Sequence, residues 1–420
     1  MCRDNYSVNR YYYSMSGSGN IMIKCIVVIC SFYTGSSIEL YNPDRITVFD
    51  PKNLNNPNMI GDKWIWGYEN TSEAVIEDDH KPFDISEALA DNEQHENPCA
   101  PHHPATPNFS KPCRRISQTK CLEYIWELKV RDERAKRSDA CVKYFDKHPD
   151  SEYTPPLGII GGAATEKGEY PHMGAIGWLA PSGSWIFKCG STLISPKFVL
   201  TAAHCSRASD RDDSIADPVP KIVRLGDKNI VVSDYGPFPV DGNILNIIVH
   251  PNYTAPKKYD DIALFELEWP IIFSSDIQPG CLWNNFDVSS LGTKATLTGW
   301  GVIDTLGRNV SPELLAGTVD LVDQEKCNNL LLPNCNRNWC GLKETQLCAG
   351  KNAGGVDACQ GDSGGPLQVK MDLPIKDQGQ MHYIIGVTSF GIGCALPNLP
   401  GVYTRVSAYL DWIEPIVWGQ

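Results

Sequence analysis

Residues 357–367 read Asp-Ala-Cys-Gln-Gly-Asp-Ser-Gly-Gly-Pro-Leu, with Ser363 flanked by Gly361, Gly364 and Gly365. A serine hydroxyl is a weak nucleophile until a base takes its proton and hydrogen-bond donors receive the oxyanion that forms. Glycines beside the serine let backbone N–H groups approach a substrate carbonyl. Upstream, Thr201-Ala202-Ala203-His204-Cys205 supplies a histidine, the usual base near neutral pH. Asp261-Ile262-Ala263-Leu264 places a carboxylate at the head of an apolar run. Taken singly, His204 also reads as a core histidine, Asp261 as a strand cap and Ser363 as a turn residue. Together, in the order His, Asp, Ser, they match one of the known triad orders and point to acyl transfer by an activated serine.

Short β-rich runs recur around these motifs between Gly, Pro and Asn turns: 198–201, 222–225, 244–249, 262–267, 295–298 and 384–389. That rhythm is all-β, a sandwich or barrel. A terminal helix is expected over 406–418, with Tyr409, Leu410, Ile413 and Val417 on one side and Pro415 weakening its end.

Seven motifs in order, IIGG (159–162), TAAHC (201–205), DIAL (261–264), TGWG (298–301), DACQGDSGGPL (357–367), SFG (389–391) and GVYTRV (401–406), make residues 159–420 resemble the catalytic domain of the trypsin/chymotrypsin family. The resemblance implies two packed six-stranded antiparallel β-barrels with the triad in the cleft between them and a C-terminal helix. It implies Ser363 as nucleophile, His204 as general base and acid, Asp261 as its orienting carboxylate, and the N–H groups of Gly361 and Ser363 as the oxyanion hole. Ser389 to Gly391 matches the strand that pairs with substrate backbone. Asp357 matches the floor of the primary pocket, with Gly391 and Gly401 at its walls. An open pocket over a buried carboxylate suits a long cationic side chain, so cleavage after Arg or Lys is expected. A purely structural ion pair at Asp357 is the alternative.

Ile159 matches the new N-terminus made when family zymogens are cut, its ammonium pairing with Asp362 to order the site. The residue before it is Gly158, not Arg or Lys, so an activating protease of non-trypsin specificity, or two-step trimming, is expected. The family implies the disulfides Cys189–Cys205, Cys327–Cys348 and Cys359–Cys394, with Cys335–Cys340 closing a local extra loop. Cys281 would bridge to the front segment, Cys141 being the first choice and Cys121 the second. Thirteen cysteines follow residue 36, an odd number. A calcium ion in the loop Asp227 to Asp241 and a serpin-type inhibitor also follow from the resemblance; no other cofactor does.

The chain has 420 residues, 37 basic and 50 acidic, for a net charge of −13. Neither a nucleic acid nor an anionic membrane surface is an expected partner. Sixteen cysteines point to disulfides made in an oxidising compartment. Lys24, the apolar run 26–32 and Thr34-Gly35-Ser36 have the order of a signal peptide, giving an N-terminal extension and signal over 1–36 and a secreted, extracellular protein. The triplets at Asn70, Asn108, Asn252 and Asn309 read as glycan acceptors. Residues 37–158 form a cysteine-containing propeptide or light chain. It is expected to be largely irregular, with one short helix over 119–137 and a Pro/Asp-rich linker over 146–156. Cys99 and Cys113 bracket a Pro/His-rich loop, read as closed by a disulfide; with His102 and His103 they also have the makings of a zinc set. The non-basic activation bond, ISQTKCLEY (116–124) and YPHMGAIGW (170–178) resemble the insect clip-type proteases, in particular the Snake/Persephone-like branch. A clip domain needs six cysteines, and only four lie in 37–158, so the clip is degenerate or missing. An extracellular cascade enzyme is expected, of the innate-immunity, Toll or melanisation type. A silent protease-like cofactor and a digestive or venom trypsin are the alternatives.

Overall fold

The β-branched runs Phe198–Thr201 (β3) and Ile222–Leu225 (β4) become strands with the expected bounds. They join Met173–Leu179 (β1), Trp185–Leu193 (β2), Val240–Val249 (β5) and Ala263–Leu267 (β6). These six close into a barrel in the order β1-β2-β3-β6-β5-β4, antiparallel throughout. The second set is Cys281–Leu282 (β7), Lys294–Gly299 (β8), Leu315–Val322 (β9), Gln346–Gly350 (β10), Pro366–Lys370 (β11), His382–Phe390 (β12) and Gly401–Arg405 (β13). Its ring runs β11-β8-β9-β10-β13-β12 and closes through β11–β12, while β7 adds a parallel pairing on β12. Closure leaves neither ring an open edge. In this computed structural model the described residues are 84–90, 97–100, 103–147, 168–230, 239–301, 311–354, 361–375, 377–393 and 396–419. All lie in one unit, Asp79–Gln420.

Side chains alternating inward fill each ring: Ile176, Leu200, Leu225 and Phe265 in the first, Leu297, Val319, Ile385 and Tyr403 in the second. After the helix Gln324–Leu331 (α3), the terminal helix α4 (Leu410–Val417) begins later than expected, because 406–409 is a 3₁₀ turn. Leu410 and Ile413 join the first core, and the helix continues through Pro415 to Val417.

The front segment differs most from expectation. A short helix Ser86–Leu89 (α1) precedes a 32-residue helix, Ile116–Lys147 (α2), which runs beyond the expected 119–137 and into the expected linker. Leu122, Ile125 and Leu128 are fully buried and share one apolar cluster with Trp283, Leu297 and Ile385 of the second barrel. Arg115 pairs with Asp411 and Glu414 of α4, and Arg131 Nη2 donates to Gln278 Oε1 at 2.7 Å. Cys281 bonds to Cys121, not to Cys141. Cys141 instead takes Cys99, so Cys99 and Cys113 do not close the Pro/His-rich loop together. The reason is geometric: α2 puts Cys121 against β7, whereas Cys141 lies twenty residues further on, about 30 Å along a helix.

Each of those three buried side chains is worth about 1.5–3 kcal/mol relative to exposure. A chain begun at Ile159 should therefore melt at least about 10 °C lower than the full chain or aggregate, with Cys281 unpaired. Thermal unfolding of the two side by side checks this; equal melting temperatures would refute the shared core.

His172 and His382 lie buried with ring centroids 4.9 Å apart. Burial pushes His172 down from 6.5 to about 4, against a bond to Gln368, and pushes His382 down as well. The unfolded chain takes up protons near pH 6.5 that the folded chain refuses. Stability is thus present above pH 6.5 and falls as pH drops toward 4. His172 alone accounts for about 2 kcal/mol at pH 5, and His382 acts in the same direction. Denaturant midpoints at pH 7, 6 and 5 should decline in that order, and a flat profile would contradict the assignment.

Candidate active site

β3 ends at Thr201, and the 3₁₀ turn Ala203–Ser206 presents His204. β6 begins just after Asp261, which is 1% exposed against 26% for the His204 side chain. The backbone N–H of His204 donates to Asp261 Oδ1 at 2.9 Å, and its ring Nδ1 lies 2.8 Å from Oδ2. An ionised carboxylate can only accept, so Nδ1 carries the proton and Nε2 keeps a lone pair for proton transfer. Burial alone would raise the Asp261 pKa. The positive charge that His204 carries whenever it holds a second proton, its hydrogen bonds and the Ser389 hydroxyl outweigh it and hold the pKa below 3.8.

That second hydroxyl was not anticipated. Ser389 Oγ donates to Asp261 Oδ2 at 2.5 Å. Thr388 pairs with Tyr403 and Phe390 with Val402, so Ser389 is the extra residue of a β-bulge in β12. A bulge re-aims a side chain, here onto the carboxylate. Thr404 Oγ1 donates to the Asp261 carbonyl at 2.8 Å, and Tyr409 OH to Asp260 Oδ1 at 2.9 Å.

Ser363 stands on the turn before β11. Its carbonyl accepts the Gly190 N–H at 2.8 Å, and the Gly190 carbonyl accepts Thr201 Oγ1–H at 2.8 Å, three residues before His204. The disulfide Cys189–Cys205 spans the same two places. Gly364 has φ +79°, and a Cβ there would lie 2.1 Å from Thr201 Oγ1. Gly361, the other expected oxyanion donor besides Ser363, has φ +98°. Gly301 N–H donates to Asp362 Oδ1 at 2.9 Å; a Cβ on Gly299 or Gly301 would meet that carboxylate at 2.0 or 2.3 Å. This packing accounts for both glycines of TGWG.

Of the expected substrate-side residues, Gly401 opens β13 opposite Ala349, and Gly391 follows β12 at the surface. Asp357, Gly158, Ile159, Cys359, Cys394 and His102 lie outside the described residues. Disulfides also join Cys327 to Cys348 and Cys335 to Cys340. Cys189, His204 and Cys205 are close enough to suggest a metal, but both sulfurs are spent in a disulfide and offer no thiolate. In the loop Asp227 to Asp241, Asp227 Oδ2 is buried without a hydrogen-bond partner among the described residues, while Arg224 holds Asp241 through two 2.8 Å contacts. Residues 231–238 of that loop lie outside the described set.

Two closed barrels with a histidine–aspartate pair beside a glycine-flanked serine define a serine protease of the two-barrel class. The Trypsin family model matches residues 159–413, and the chain belongs to the trypsin family of serine endopeptidases. It is 41% identical over 263 residues to Serine protease Hayan of Drosophila melanogaster, covering 62% of this chain and 39% of that protein. It is 38% identical over 313 residues to Serine protease snk of the same organism, covering 73% of this chain and 66% of that protein. Clotting factor G beta subunit of Tachypleus tridentatus is 37% identical over 270 residues, 62% of this chain and 80% of that protein. The chain thus spans less than two thirds of the length of the first two relatives. Among the described residues, no helix is long and apolar enough to cross a membrane.

Proposed function

We propose that this chain is a secreted zymogen which, once cut before Ile159, cleaves protein substrates after Arg or Lys in an extracellular proteolytic cascade. The observation that carries the chemistry is the buried Asp261 carboxylate bonded at once to His204 Nδ1, the His204 N–H and Ser389 Oγ. Ser363 Oγ attacks the scissile carbonyl while His204 Nε2 takes its proton. The tetrahedral oxyanion is received by the N–H groups of Gly361 and Ser363. His204 then returns the proton to the leaving amine, and water repeats the sequence to release the acid. Asp261 stays ionised and steadies the imidazolium.

Basic specificity rests on Asp357, with Gly391 and Gly401 leaving the pocket walls bare. Activation rests on Ile159 and Asp362, and Gly158 assigns the cut to a protease that does not require a basic residue. A serpin-type inhibitor fits the same reading. The chemistry requires no metal; a calcium ion in the loop Asp227 to Asp241 would be structural, held by Asp227. Five disulfides among the described residues, Cys99–Cys141 to Cys335–Cys340 in chain order, and the signal-like run 26–32 support secretion. Relatives named as a clotting factor subunit and insect serine proteases support the cascade.

N-terminal sequencing of the active form, coupled to hydrolysis of Arg-, Lys- and Phe-ended peptides, tests the reading. Ile159 at the new terminus with turnover of the basic peptides alone is expected. Preferred turnover of the Phe peptide, or Ile159 exposed by trypsin alone, would contradict it.

A further inference from the structure

A cleft of about 350 Å³ opens between the loop preceding Asp261 and the loop closed by Cys335–Cys340. Lys257, Arg337 and Lys343 line it, all three exposed. Lys343 Nζ lies 4.3 Å from the Tyr259 ring centroid, and neighbouring Lys258 lies 5.8 Å from that of Phe390, next to Ser389. None of these four cations makes an ion pair among the described residues. The carboxylate on the lining is Asp260, which accepts the Tyr409 hydroxyl. A basic hollow in a chain of net charge −13 runs against the global sign and focuses attraction for anions locally.

The hollow is also built in advance. Lys258 N–H donates to the Asn338 carbonyl at 3.1 Å. Tyr259 OH accepts the Cys340 N–H and donates to the Gly341 carbonyl, both at 2.9 Å. Gln346 Nε2 donates to the Lys258 carbonyl at 2.8 Å, and buried Trp339 packs edge-on against Phe390. The two loops are therefore sewn together, and a ligand meets fixed backbones rather than ordering them.

We propose that this cleft receives an acidic segment of the protein substrate, carboxylates of Asp or Glu settling against Lys257, Arg337 and Lys343 while the backbone runs along Ser389–Phe390. The inference rests on the endopeptidase reading and adds to it a preference set by this chain's own loops. Arg337 offers a planar fork to a carboxylate, and the lysines offer mobile point charges.

The test uses the full chain, activated, with two fluorogenic peptides that share the same basic residue at the cut and the same residues after it. One carries two Glu within the four preceding positions, the other two Gln. The acidic peptide should show about tenfold higher kcat/KM at low salt, expressed in KM rather than kcat. The ratio should shrink toward one in 0.5 M NaCl, and likewise in the double variant Lys257→Gln, Arg337→Gln. Equal kcat/KM for the two peptides overturns the inference alone, as does a preference that survives both salt and the double variant. Cleavage of neither peptide by enzyme with a free Ile159 overturns the endopeptidase reading and this inference with it.

Discussion

Replacing Ser363 by alanine is expected to lower kcat on a basic ester by about six orders of magnitude and to abolish labelling by an organophosphonate. The hydroxyl is the only atom lost. Backbone contacts that fix the turn, from Gly190 N–H to the Ser363 carbonyl and from Gly364 N–H to the Thr388 carbonyl, do not involve it. Melting temperature should accordingly stay near that of the parent, since the residue is only half-buried and a small polar-to-apolar change there falls within about 1 kcal/mol. Residual turnover would come from the oxyanion donors and substrate binding. An alanine variant that keeps more than a few per cent of the parent rate, after contaminating protease is removed by inhibitor, would take the nucleophile's role from Ser363. The same pair of measurements separates an enzyme from a silent binding homologue: the silent form would show neither labelling nor a difference on mutation.

Asp261→Asn should cost about four orders of magnitude in kcat with little change in KM; this is the magnitude known for the substitution in enzymes of this family. The geometry explains the size. Asp261 accepts from three donors at once: the His204 N–H, His204 Nδ1–H and Ser389 Oγ–H. An asparagine has one acceptor end and one donor end. If its oxygen keeps the backbone N–H, its NH₂ faces Nδ1 and Ser389, and the imidazole must put its proton on Nε2. A protonated, neutral Nε2 cannot take the serine proton. The rate should be measured across pH 6 to 10 beside the Ser363→Ala variant. An asparagine variant within tenfold of the parent at pH 7 would mean that His204 is oriented by something other than Asp261.

The sequence makes the His204–Asp261 pair and the Ser363 turn legible because their motifs are local. TAAHC, DIAL and the glycine-flanked serine each occupy one strand end or turn, and the β-branched runs between them set the barrels. The front segment is less legible for two physical reasons. Leu122 through Asp132 is buried over most of its length, Lys129 and Asp132 included, because α2 packs on more than one side and satisfies those charges through Glu133 and Lys136. A one-faced apolar stripe is therefore a poor guide to its length. Which cysteine meets Cys281 depends on how the helix lands on β7, a contact across 160 residues that no local pattern encodes. The bulge at Ser389 is hidden for a similar reason: an alternating strand pattern does not announce the residue it skips.

The bond between Cys121 and Cys281 has a practical corollary. If the chain is cut before Ile159, as proposed, this bond holds the two pieces together: electrophoresis without reductant would show one band for parent and product alike, and only a thiol reagent would part them. A piece released by that cut would stay on as a permanent subunit, carried wherever the protease travels, and any address written in its surface would go with the working enzyme.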